Sequence, residues 1–471
     1  MAKLLICVNL ALVAWGQNGG GVTPPFVLPC NVRIVAHCAP QTDGSGNLQI
    51  GNTVLPGATS IPSTDLFLGL GAGNASSTGT GNTAIGYQAG TSLTAPGSGA
   101  NPQANTFVGF QAGQHVTTGR ESTFIGFAAG TSATGSGSGT EDGLNTFIGS
   151  YAGANTTTGM DNTFIGQKAG TNNITGSQNT YVGTHSAWAM TGNQNVTIGG
   201  AGDTGGNGYI SGTANVFIGY QVATAPGTQN YTVAIGNYAG SATTTADNNV
   251  FIGNSAGNRN TTGSQNVYIG QSAGSQQTTT TGNVAIGAQA LNQYGNVVNT
   301  VALGFQAGQL VAAGSNNTFL GYAAGRNAAR ADNNVFVGQA SGYSLTAAVG
   351  DVLIGNYAAV SATTGNENLC IGDYTCNSLR TGNNNTVLGA GTDVGTASSY
   401  RTVVGSGASG QADNSITLGR PSDGTIFGAA QVSDSGLQNG QCTIYLASNT
   451  SARVRCRGTD GVVREAALQL N

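Results

Sequence analysis

Apolar residues return along most of this chain in one short pattern. Thr or Val comes first, then a residue that is often aromatic, then Ile, Val or Leu, then Gly. Three alternating residues closed by a fixed glycine read as a short β-strand rather than a helix. The phrase appears as Asn105-Thr106-Phe107-Val108-Gly109, Asn162-Thr163-Phe164-Ile165-Gly166 and Asn317-Thr318-Phe319-Leu320-Gly321. Counted by its glycine it occurs 21 times, from Gly69 to Gly419, and ten consecutive intervals from Gly219 to Gly389 are each 17 residues. A period this regular predicts a parallel β-solenoid, or β-roll, of about 21 coils. The intervals Gly86 to Gly109 and Gly126 to Gly149 lengthen to 23 residues, and Gly199 to Gly219 to 20. Each of the three holds a Gly-rich polar insert, at Ala95 to Gly99, Gly135 to Gly139 and Gly205 to Gly208, expected to be a loop leaving one corner of the coil.

Alternation within the strand predicts two faces. The first and third positions, such as Thr83 and Ile85 or Val250 and Ile252, are apolar or Thr in every copy and are assigned to the interior. The middle position is Phe or Tyr in 11 of the 21 copies, and it is assigned to the outside. Burying a Phe is worth about 1.5–3 kcal/mol, so an exposed row of them needs a cover. Further copies of the same chain about a common axis are the simplest cover. The expectation is therefore a homotrimer, with Phe107, Phe124, Phe147, Phe164, Phe251, Tyr268, Phe319 and Phe336 at its interface.

The rest of each repeat reads as turn. Ala-Gly follows the strand (Ala89-Gly90, Ala169-Gly170, Ala273-Gly274), then a stretch such as Thr117-Thr118-Gly119 or Thr261-Thr262-Gly263. An Asn opens the next strand. Asn162, Asn249, Asn266 and Asn334 are expected to stack one above the next as amide ladders. Coils about 4.8 Å apart would give a shaft on the order of 100 Å.

The Asn-Thr-Phe-Ile-Gly-x-x-Ala-Gly phrase resembles the head repeats of trimeric autotransporter adhesins, which form trimeric left-handed β-rolls. It is more similar still to the repeats of bacteriophage tail-fibre proteins, which share the Thr-Thr-Gly turn. The likeness covers about residues 64–419 and implies an architecture and an adhesive role, not a ligand. Two departures stand out. No coiled coil and membrane-anchoring barrel follow, as in an autotransporter, and no self-cleaving chaperone domain follows, as in many phage fibres.

Composition narrows the picture. Gly numbers 78 of 471 residues, charged residues are 7%, and the formal charge is −4. Scarce Lys and Glu argue against long solvated helices, and phosphate binding needs clustered Lys and Arg, so nucleic acid is not an expected partner. Lys3 and the run Leu4 to Trp15 resemble a signal peptide with a cleavage site at Ala14-Trp15-Gly16. The alternative is an N-terminal strand or plug docking on a partner. About 12 apolar residues are too few to span a bilayer, so no membrane insertion is expected.

Three segments follow: an N-terminal attachment segment at 1–63, a repetitive shaft at 64–424 and a small C-terminal β-module at 425–471. Of the seven Cys, Cys7 stands apart. Cys30 and Cys38, Cys370 and Cys376, and Cys442 and Cys456 are near neighbours, which fits disulfides or free buried thiols. In the C-terminal module Arg453, Arg455 and Arg457 alternate along a strand, with Arg464 nearby. They are candidates for anionic glycan or phosphate contacts, against a charge-protected edge strand.

Little points to catalysis. His37, His115 and His185 are scattered, Glu141 and Asp142 sit in an insert, and Gly69 to Gly73 lacks the strand-to-helix context of a nucleotide loop. The chain reads as a non-enzymatic fibre without cofactor. Its expected place is the virion, joined to baseplate or tail proteins and meeting a host glycan or protein. The alternative is a secreted bacterial surface adhesin or extracellular fibre.

Overall fold

The computed structural model describes residues 65–73, 80–93, 103–134, 143–199, 211–410, 413–419, 442–448, 451–457 and 460–468. The predicted attachment segment, the three predicted loop inserts, Glu141, Asp142 and His37 lie outside these residues. Among the described residues every regular element is a strand. The chain divides into two compact units, Met1–Asn266 and Val267–Asn471.

In the first unit, eleven three-residue strands run from Leu66–Leu68 to Val250–Ile252, each paired in parallel with the next. In the second, ten such strands run from Val267–Ile269 to Ile416–Leu418. A second parallel ladder of five strands, Asn296–Val298, Ala313–Ser315, Arg330–Asp332, Ala347–Val349 and Thr364–Asn366, forms on another side of the coil there. Parallel neighbours one repeat apart are what a coil produces, so the predicted β-solenoid is present in each unit. Three antiparallel strands, Cys442–Ser448, Ser451–Arg457 and Val463–Leu468, make the small C-terminal sheet.

Register survives the long repeats. Thr83 lies opposite Thr106 and Thr123 opposite Thr146, although each pair is 23 residues apart, and Val196 lies opposite Val216 across 20. The extra residues therefore leave the coil between strands and return without shifting it. A one-residue slip would turn every side chain to the wrong face, so the pattern holds the register.

Which face is inside corrects the sequence reading. Phe107, Phe124, Phe147, Phe164, Phe251, Tyr268, Phe319 and Phe336 are all fully buried within their own chain. The Thr, Val, Ile and Leu at the first and third positions point outward instead; Ile165 keeps 38% of its surface. The aromatic row is thus the core, not an oligomer interface. The reason lies in the tightness of the corner. Each strand contributes only one inward side chain, and the Ala-Gly after it closes over the ring. Ala169 is fully buried, and a Cβ added at Gly170 would stand 2.6 Å from Phe164 Cδ2. Rings on successive coils then stack: Phe147, Phe164 and Tyr181 lie with centroids 4.7 Å apart and planes within 5° of parallel. Offset stacking of this kind adds about 0.5–1.5 kcal/mol per pair beyond burial.

The fixed glycine has its own cause. Gly166 has φ 132°, and a Cβ there would lie 2.4 Å from the carbonyl oxygen of Gly183 on the next coil. Only glycine lets the two backbones approach this closely. Each turn also bends through non-glycine residues in the left-handed region, such as Lys168 (φ 57°) and Gln178 (φ 61°). That conformation costs about 1–2 kcal/mol per residue. It is offset by N–H bonds to the preceding coil, from Lys168 to Ser150 O at 2.8 Å and from Gln178 to Met160 O at 2.9 Å.

Candidate interaction surfaces

The interior beside the rings is polar, and its order comes from one repeated residue. Asn162 donates from Nδ2 to Asn145 Oδ1 at 3.1 Å and to Gly176 O at 2.9 Å. Its own Oδ1 accepts from the backbone N and the Nδ2 of Asn179, both at 3.0 Å. The same rung recurs at Asn215, Asn334, Asn368 and Asn385. The expected amide ladder is therefore present at Asn162, Asn249, Asn266 and Asn334, all fully buried. Ser122, Thr232 and Thr300 replace Asn on some coils and donate to backbone carbonyls instead. Arg401 closes the ladder: its N–H donates to Asn385 Oδ1 at 3.1 Å while its guanidinium turns out to Asp413 at 2.9 Å.

One rung is chemically different. Asp351 is 1% exposed; its N–H donates to Asn334 Oδ1 at 2.8 Å, and its Oδ1 accepts from Asn368 N at 2.7 Å and Asn368 Nδ2 at 3.1 Å. Burial pushes its carboxyl up to about 7. Burial likewise pushes the phenol of Tyr268 up to about 12. Both shifts follow from removing a charged form from water.

Outside, the strands present two uncharged rows. In the first unit one row runs from Leu66 through Thr83, Thr106 and Thr123 to Val250, and the other from Leu68 through Ile85, Val108 and Ile125 to Ile252. The second unit repeats them from Val267 and Ile269 to Ile416 and Leu418. Nearly all are β-branched, stiff at χ1 and flat against the pleat. Beside these rows, just past the fixed glycines, exposed aromatics form short stacks. Tyr87, Phe110 and Phe127 lie with centroids 5.0 Å apart, and Tyr151 meets Phe127 edge-on at 5.2 Å. Phe305 with Tyr322 and Tyr357 with Tyr374 repeat the arrangement in the second unit. In the stacked pairs each ring covers its neighbour's face, so the surface they offer is ring edge.

The C-terminal arginines meet carboxylates. Arg453 and Arg455 each reach Glu465 at 2.6 Å, and Arg464 reaches Asp460 at 2.6 Å. Arg464 holds the Asp460 carboxyl below the usual carboxylate range. Arg457 shares the strand Ser451–Arg457 with the first two. Of the histidines, His115 bonds Thr131 O through Nδ1 at 2.7 Å and His185 occupies a left-handed corner. The two are on separate turns.

The disulfide question left open by the sequence is answered for one pair. Cys370 and Cys376 are bonded, and both are fully buried. Cys370 occupies the inward position held by Phe on other coils, between Leu353 and Val387. Cys376 occupies the corner position held elsewhere by the glycine under the ring. The six-residue separation is that of Phe164 and Gly170, a signal readable in the sequence once the faces are assigned correctly. Cys456 is also disulfide-bonded.

No protein-family model matches the chain, and no curated protein or solved structure matches it.

Proposed function

We propose that the protein is a structural fibre for adhesion, a homotrimeric phage tail fibre that serves in host attachment. In this reading the outward rows of Thr, Val, Ile and Leu from three copies face one another, in place of the buried aromatic row. The supporting observation is the pair of uncharged, β-branched rows on one sheet face. Eleven coils about 4.8 Å apart make a strip about 50 Å long in the first unit alone. Soluble monomers rarely leave contiguous apolar patches beyond a few hundred Å² uncovered. The threefold number rests on the likeness of the repeats to phage-fibre and autotransporter repeats. Three weak sites on one rod would engage a host glycan or protein together and gain avidity through effective concentration. The opposite end would join baseplate or tail proteins.

A second reading has its own observation in favour. Buried disulfides persist in oxidising compartments and are rare in reducing cytosol, where a virion fibre would be assembled. The Cys370–Cys376 bond therefore supports a secreted bacterial surface adhesin or extracellular fibre. Native mass measurement of the full chain tests the assembly. A trimer that the double variant Ile148→Asp/Ile235→Asp converts to folded monomers is expected; a wild-type monomer overturns the proposal. Thiol labelling of the protein from its natural source separates the two readings, since only the secreted one expects full oxidation there.

A further inference from the structure

We propose that Asp351 is held inside the coil as a neutral carboxylic acid, and that its ionisation makes this turn of the solenoid the pH-sensitive one. The argument begins with what the ladder demands of each rung. An interior Asn accepts from the next rung through Oδ1 and donates from Nδ2 to a backbone carbonyl further along the chain. Asn317 donates to Ala331 O at 2.6 Å, Asn334 to Ala348 O at 2.9 Å and Asn368 to Gly382 O at 3.0 Å. Each of these carbonyls lies 14 residues beyond its Asn. Thr232 keeps the donation through its hydroxyl, to Ala246 O at the same separation. Every such position therefore needs one acceptor atom and one donor atom.

Asp351 supplies the acceptor as the others do, to Asn368 N and Nδ2. Its second oxygen stands where an amide nitrogen would be, and the carbonyl at the matching register is that of Gly365, in the strand Thr364–Asn366. A carboxylate has no hydrogen to donate there; a carboxylic acid has one. Protonated, Asp351 reproduces the amide rung. Ionised, it sets a buried negative charge against a carbonyl dipole, with only the two Asn368 donors in return.

The surrounding charges agree. Arg326, Arg330 and Asp332 lie on the preceding turn and Glu367 on the following one. Burial raises the Asp351 carboxyl most, the Asn368 bonds oppose it, and Glu367 adds a like charge that raises it further. The folded chain thus binds this proton more tightly than the unfolded chain. The stabilisation is complete below about pH 4, falls as pH rises toward about 7, and is gone above that.

Native-state hydrogen exchange of the full chain, followed on peptides covering 348–368 and corrected for intrinsic rates, tests this. Wild type is compared with Asp351→Asn and Asp351→Thr, whose side chains occupy the same rung on other coils. The opening equilibrium of this turn is expected to rise in wild type by up to about tenfold per pH unit between 4 and 7. In both variants it should stay flat. A wild-type turn whose opening does not change over that range, or variants that show the same rise, would overturn the proposal.

Discussion

Removing one ring from the buried stack distinguishes the core from the outer face. Phe164 is fully buried, with Phe147 on one side and Tyr181 on the other, each 4.7 Å away. Phe164→Ala removes about 1.5–3 kcal/mol of transfer free energy. It leaves a cavity that the glycine corner and both neighbouring rings resist filling, and Phe→Ala substitutions of this kind cost about 3–5 kcal/mol in all. In a solenoid each repeat is supported mainly by its neighbours, so the loss should concentrate on the coils from Phe147 to Tyr181. Hydrogen exchange reads it as faster opening of those coils, while distant ones such as Val233–Ile235 keep their protection. The companion variant Ile165→Asp alters the adjacent outward side chain. Alone in its chain it should change stability by no more than about 0.5 kcal/mol, as surface substitutions do. In an assembly joined through that row it brings like charges together and shifts the mass toward monomer. The reasoning fails if Phe164→Ala releases folded monomers with protected coils while Ile165→Asp unfolds the turn.

Three further outcomes follow from the same geometry. Gly170→Ala places a Cβ against the Phe164 ring and forces a left-handed alanine, which should destabilise by about 2–4 kcal/mol in denaturant unfolding. Combined with Phe164→Ala the two costs should fall short of their sum, because the second change empties the space the first invades. Asn162→Ala removes two donated bonds and strands the N and Nδ2 of Asn179; each stranded group costs about 1–3 kcal/mol, read as local exchange in the coils 145–179. Alkylation of the denatured, unreduced protein should leave Cys370 and Cys376 unmodified, and peptide mapping that finds either one labelled would contradict the bond.

The coil itself was legible because its constraints act on backbone. The glycine at Gly166 recurs because a Cβ would strike the next coil 2.4 Å away, and no neighbouring side chain can relieve that contact. The Asn rung recurs because two coils compete for its amide. Both constraints leave an invariant residue at an invariant spacing, and period and ladder could be read from that alone. The orientation of the strand was not legible by the same means. A three-residue strand flanked by turns has apolar residues on both faces, so alternation names two faces without saying which is inside. The deciding signal was the small residue six positions after the aromatic. Gly170 after Phe164, Gly153 after Phe147 and Gly274 after Tyr268 each give up a side chain to seat a ring. Cys376 after Cys370 meets the same requirement with a covalent bond. This covariation within one chain ties the aromatic to the interior. It also transfers the expectation of an assembly to the β-branched rows, whose side chains have no such seat within the coil. The C-terminal arginines were legible as an alternating row, but their carboxylate partners were not. Arg455 meets Glu465 because the turn at Asp460 and Gly461 sets the register of two antiparallel strands. That pairing belongs to the hairpin, not to either strand read alone.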